Sequence, residues 1–358
     1  MNYLTIAIVI FAVIGAMDRM TGNHLGFGKE FEKAFMLLGT MTLAMIGMIV
    51  IAPFIAKLME PVSVFFRDVL HIDASIIPAS LFANDMGGAQ LAVEMASDEK
   101  LGLYNALVVS SMMGCTVSFT IPFALGVVKK ENHKHLLLGL LCGTVTIPVG
   151  CIVSGIMCRI PFATLFLTLI PLIVFSGAIA LGLIYMPDKC VKVFKGFGVF
   201  ITGVIMIGLS FGIIRYLTGY EVIKGLNTVE DAAAICVNAA IVLSGTFPLV
   251  YFISRILNKP LSFISGRTGL NEISVLGMVS SLASSSTTFG IMDKMDAKGV
   301  VINSAFAVSG AFVVGSHLAF TMAFDDTYVF AVIVGKLISG VLAVAVAGFM
   351  CRSKAFES

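Results

Sequence analysis

The chain has no tryptophan, and Asp, Glu, Lys and Arg make up only 12% of its 358 residues. A soluble protein carries about twice that share of charge, so a soluble globular fold is excluded. The seven cysteines, at 115, 142, 151, 158, 190, 236 and 351, form no CxxC pair and no His/Cys metal spacing. Isolated thiols pack as small apolar groups, and neither a metal nor another cofactor is implied. A net charge of +2 without a basic tract gives no footprint for nucleic acid. There is no HExxH, no clustered Asp motif and no nucleophile–base pairing, which argues against an enzyme. The first residues, MNYLTIAIVIFAVIGAM, lack a basic n-region and a small-residue cleavage site, so a retained first helix is expected.

What the chain does have is apolar length, at 58% hydrophobic residues. A helix needs roughly 20 apolar residues to cross a bilayer. Nine runs qualify as approximate helices: 3–17, 34–59, 101–128, 135–157, 163–186, 191–217, 229–257, 298–323 and 328–350. Two further stretches, 62–98 and 261–296, are apolar but interrupted, the first by NDMGG and the second by SSSTT. Each is long enough to enter the membrane, turn and leave on the same side. Irregular backbone at that depth needs protein or a water-filled cavity around it. The expected fold is therefore an all-α polytopic membrane protein of about nine transmembrane helices plus two re-entrant hairpins.

Charge distribution fits that topology. With both hairpins re-entrant and the N-terminus outside, 16 basic residues fall on the cytoplasmic side and 6 on the other. That split obeys the positive-inside rule, whereas making either hairpin a single crossing spoils it. The KKENHKH loop at 129–135 is then a solvated cytoplasmic loop. The C-terminus is expected in the cytoplasm.

An internal repeat points the same way. At an offset of 199, Pro61 matches Pro260, Ser63 matches Ser262, Glu94 falls on Asp293, and Ala106, Val109 and Ser110 fall on Ala305, Val308 and Ser309. Two helices, a hairpin and two helices occur twice, in 1–160 and 191–358, with a linking helix in 161–190. One odd crossing between the copies turns the second upside down. Inverted repeats of this kind are a transporter architecture, with the substrate near the midplane where broken elements meet.

The candidate site follows from the two tips. Asn84, Asp85 and Gln90 belong to the first hairpin; Ser284, Ser285, Ser286, Thr287 and Thr288 form the second tip; Asn271 and Glu272 enter with its first arm. A lone carboxylate at that depth costs several kcal/mol, so it needs a partner or a cation. The residues as they stand point to a small cationic, hydrogen-bonding solute. Their alternatives are ordinary ones: an extramembrane turn for NDMGG, a helix–helix contact for SSSTT and an interfacial helix start for Asn271–Glu272. His317 is read as a hydrogen-bonded structural histidine that is nevertheless able to titrate near neutrality. Lys336, well inside the last predicted helix, either reaches the acids or snorkels to the interface. The GxxxG spacings Gly139/Gly143 and Gly208/Gly212 are packing motifs.

SLFANDMGGAQLA, LASSSTTFGIMDKMD and the helix plan resemble the ethanolamine permease family of bacterial ethanolamine-utilization operons (EutH), along essentially the whole chain. The resemblance implies an importer of ethanolamine in the bacterial cytoplasmic membrane. The hairpin plan also resembles concentrative nucleoside transporters, in architecture alone. On this reading Asp85 takes the ammonium, aided by Glu272, and Ser285, Ser286 or Thr287 takes the hydroxyl. The partners expected are ethanolamine, the lipid bilayer and a second copy of the chain in a homo-oligomer. A nucleoside or another amine on the same scaffold, an intramembrane enzyme and a non-transporting sensor are the alternatives.

Overall fold

The computed structural model describes residues 3–257 and 269–352. The repeat partners Pro260 and Ser262, the basic residues Lys259, Arg267 and Lys354, and residues 261–268 of the second interrupted stretch lie outside them. Among the described residues the fold is all-helical, with no strand.

Among the described residues, eight helices are long and apolar enough to cross a membrane. They are α1 (Tyr3–Met20), α2 (Phe27–Leu58), α6 (Glu99–Val127), α7 (Lys130–Met157), α8 (Phe162–Tyr185), α9 (Pro187–Thr218), α10 (Val229–Ile256) and α15 (Asp326–Met350). Large apolar side chains such as Val13, Phe166, Phe200, Ile207 and Phe330 are exposed on their outer faces, where a soluble protein would place charge. The chain is a multi-pass membrane protein.

The ninth expected span, 298–323, is not one helix. It is α13 (Ala297–Ser309) and α14 (Ser316–Phe324), separated by residues 310–315. Here Phe312 adopts φ +60°, a conformation that costs a non-glycine residue on the order of 1 kcal/mol. Tertiary bonds hold the break open. The N–H groups of Phe312 and Val314 donate to the carbonyls of Ser281 and Leu282, at 3.0 and 2.9 Å. Those carbonyls end α11 (Glu272–Ala283) and would otherwise lack partners.

Short helices make up the first interrupted stretch. After α3 (Glu60–Asp68), a separate element, come α4 (Ile76–Leu81), a turn at Asn84–Met86 and α5 (Gly88–Met95). Gly87 makes the turn possible at φ +85°, and a Cβ there would lie 2.0 Å from Met48 Cγ. The base of the element is closed by one carboxylate. Buried Asp73 accepts from the Ser75 N–H at 3.0 Å and from the Ser97 and Asp98 N–H groups at 2.8 and 3.0 Å. Its entrance and its exit therefore meet.

The second stretch repeats this pattern. Helix α11 is followed by an extended residue, Ser284, and by α12 (Ser285–Gly290). Asp296 closes the base, accepting from the Asn271 N–H at 3.1 Å and the Ser274 hydroxyl at 2.9 Å. Asp98 and Asp296 also cap the helices that follow, through Leu101 N–H and Gly299 N–H. Asn105 donates to the Ser75 hydroxyl at 2.8 Å, and Asn303 to the Ser274 carbonyl at 2.9 Å.

Helix α6 is the most enclosed span, with 83% of its apolar window buried. Between Asn105 and Thr120 it widens into π-helical turns. Its serines hold the first tip: Ser110 Oγ donates to the Phe82 carbonyl at 2.6 Å, and Ser118 Oγ accepts from the Ala83 N–H at 3.0 Å. The two glycine spacings sit at helix crossings. A Cβ on Gly139 or Gly143 would strike carbonyls of α13, and one on Gly208 would strike that of Gly47.

Candidate functional site

Both tips open onto one cavity of about 440 Å³. Asp85 and Met86 come from the first tip; Ser284, Ser286 and Thr287 come from the second. Ser316 and His317, at the start of α14, and Thr40 of α2 add to the polar lining. Phe119, Phe247 and Phe312 supply aromatic walls. The combination of apolar walls and a few converging polar groups is that of a small-molecule site. Lys33 stands at the rim, 3.3 Å from Glu30 and over the Phe247 ring, so its charge is already matched.

Asp85 is the one acid in the cavity lining among the described residues. Its side chain keeps 19% exposure, while that of His317 keeps 1%. The His317 Nε2 and an Asp85 carboxylate oxygen face each other at 3.8 Å. On the other side of the ring, Lys336 Nζ lies 3.1 Å from His317 Nδ1 and donates to the Ser111 carbonyl at 2.7 Å. Lys336 is thus fully buried and does not snorkel. Three titratable side chains from three separate elements form a row running from the cavity into the protein.

The remaining expected residues lie elsewhere. Gln90 is on the second arm of the first element, bonded to Glu94 at 3.2 Å, and does not line the cavity. Asn271 caps α11, accepting from the Ser274 N–H at 2.8 Å, and Glu272 is exposed in the first turn of that helix. This pair marks a helix start at the base of the element, one helix length from its tip, and Glu272 does not line the cavity. Thr288 is buried, with its hydroxyl donating to the Gly277 carbonyl at 2.8 Å and engaging Ser281. Asn84 and Ser285 are fully buried, and neither the Asn84 amide group nor the Ser285 hydroxyl has a hydrogen-bond partner.

The sequence reading kept Ser316 among the polar helix residues able to face the pathway and placed His317 as structural, but it did not foresee the break before them. Its missed signal was Gly310 and Gly315 bracketing an apolar run just before SH, a weak hint of a third interruption.

The family model described as "Ethanolamine utilisation protein, EutH" matches residues 1–350. The chain belongs to this family. A probable ethanolamine permease EutH of Listeria monocytogenes is 43% identical over 344 residues, covering 96% of this chain and 92% of that protein. The Escherichia coli protein of the same description is 37% identical over 377 residues, covering 95% and 92%. The uncharacterized protein YxeR of Bacillus subtilis is 36% identical, with the same coverage. No solved structure matches. The matched region includes both tips.

Proposed function

We propose that the chain is a transporter that imports ethanolamine across the bacterial cytoplasmic membrane by alternating access, and not an enzyme. The observation that carries this reading is the single cavity in which Asp85 from one interrupted element meets Ser284, Ser286 and Thr287 from the other. Ethanolamine is a primary amine, almost wholly protonated at pH 7. Its ammonium offers three donors and its hydroxyl both donates and accepts. Asp85 binds the ammonium, and the second tip takes the hydroxyl. Desolvating an ammonium is expensive, so a carboxylate and several hydrogen bonds are needed together.

The two interrupted elements act as re-entrant hairpins of an inverted repeat, 1–160 and 191–358, joined through 161–190. Support comes from their closed bases: Asp73 ties residue 75 to residues 97 and 98, and Asp296 is bonded to Asn271 and Ser274. Entrance and exit on one side is what re-entry requires. The positive-inside split then puts the N-terminus outside and the C-terminus in the cytoplasm. The apolar outer face of α9, with Phe200 and Ile207 exposed, suits a fixed contact in a homo-oligomer.

Asn84 and Ser285, buried without partners beside the two tips, support movement there. Such groups are rare in a resting protein, and closure of the tips around a solute would give them partners. The test is uptake of radiolabelled ethanolamine into proteoliposomes, with nucleosides and other amines as competitors. Saturable uptake blocked by unlabelled ethanolamine is expected. No protein-dependent uptake, or uptake blocked by a nucleoside and not by amines, overturns the reading.

A further inference from the structure

We propose that the row Asp85–His317–Lys336 exchanges one proton for each ammonium ion that occupies Asp85. The inference rests on the amine-binding reading and adds the coupling to it.

A charged Lys336 assigns the protons, because an ammonium has no lone pair and can only donate. Lys336 donates to Nδ1 of His317 at 3.1 Å and to the Ser111 carbonyl at 2.7 Å. A ring nitrogen that accepts carries no hydrogen, so the neutral ring holds its hydrogen on Nε2, toward Asp85. The gap of 3.8 Å between Nε2 and Asp85 is too wide for a hydrogen bond. The ring therefore does not occupy the carboxylate, which shares the cavity wall with its side-chain partner Ser316 and keeps 19% exposure.

Charge then decides. One carboxylate, one neutral ring and one ammonium balance. The other groups facing Lys336 are the thiols of Cys115 on α6 and Cys151 on α7, which bring no charge as thiols. Lys33 from α2, at the rim, is matched by Glu30. An ammonium arriving at Asp85 leaves one uncompensated positive charge in an apolar surrounding, which is costly. Loss of one proton from the row removes it.

The transfer balances. Lys336 gives one N–H proton to Nδ1 of His317, and the ring gives its Nε2 proton to water in the cavity. Lys336 becomes a neutral amine accepting from Nδ1–H. Nε2 now presents a lone pair to the cavity. The incoming ammonium thereby gains two acceptors, Asp85 and Nε2, which stand close enough to share it. Return of a proton after the amine leaves reverses each step. Net transport is one ammonium in and one proton out, with no charge moved.

The experiment uses proteoliposomes with an internal pH dye, radiolabelled ethanolamine and an imposed potassium diffusion potential. Asp85→Asn vesicles supply the background for the neutral amine crossing lipid. Exchange predicts one proton leaving per amine entering, and uptake insensitive to an interior-negative potential. A uniporter would instead accumulate the cation tenfold for about 60 mV; that result, or interior acidification, overturns the exchange and leaves the substrate intact. Absence of all uptake overturns both. Lys336→Met should make uptake potential-driven without proton release. Lys336→Arg, which keeps a charge it cannot release, should weaken ethanolamine at least tenfold. Exchange that survives unchanged in a folded Lys336→Met overturns the assignment to this row.

Discussion

His317 and Asp85 face each other across 3.8 Å without bonding. The ring is anchored from behind by Lys336, at 3.1 Å, and so keeps its place when the carboxylate engages something else. An acid held next to a fixed neutral ring, and reached by no cation in direct contact, remains available to a solute.

Replacing that acid is the first test. Asp85→Asn keeps the shape and removes the charge. Uptake at limiting ethanolamine should fall by at least about 100-fold, since breaking one partner of a desolvated ion pair costs about 3–5 kcal/mol. The protein should still reach the membrane in normal amount, measured by immunoblot of the membrane fraction. Normal uptake by this variant rules out Asp85 as the ammonium site.

The second tip should divide by burial. Ser286 and Thr287 line the cavity, so alanine at either is expected to raise KM for ethanolamine about fivefold, one hydrogen bond of about 1 kcal/mol. Thr288 is bonded inside the protein. Thr288→Val should lower the thermal midpoint of the purified protein and leave KM unchanged. The reverse pattern would mean that the tip is oriented differently in the working protein.

Asp73 and Asp296 give a comparison of two similar carboxylates in different burial. Asp73 is buried, whereas Asp296 is partly exposed. Asparagine at 73 turns an amide toward backbone N–H groups that need an acceptor, at a cost of about 2–3 kcal/mol. At 296 water shares the load, and the loss should be smaller. Thermal unfolding in detergent checks the order, and equal effects would undo the account of the closed bases.

Gly87→Ala should destabilise by about 3 kcal/mol, from the left-handed backbone and the collision with Met48 together. Adding Met48→Ala should restore the packing part alone. Full recovery in the double variant would mean that the backbone at 87 relaxes freely.

Much of this arrangement is legible in the residues. Long apolar runs locate the spans, and polar clusters inside such runs have few other uses, so NDMGG and SSSTT stand out. The break at 310–315 does not, because AFVVG is as apolar as any helix interior. Its irregular backbone is stabilised by the carbonyls of Ser281 and Leu282, a contact between distant stretches that no local pattern encodes. Asn271–Glu272 misleads for the opposite reason: a helix start and a binding pair use the same residue types. Lys336 is conspicuous in sequence, but its partner is set by packing. His317, 19 positions away, and the Ser111 carbonyl, 225 positions away, are acceptors that only the folded chain brings together.

The shared hydrogen bonds between the end of α11 and residues 310–315 have a mechanical result. They weld the serine tip to the segment that carries His317, making one plate of two broken helices. A rocking of that plate against the half bearing Asp85 would alter the histidine–carboxylate spacing in the same stroke that opens or shuts the mouth.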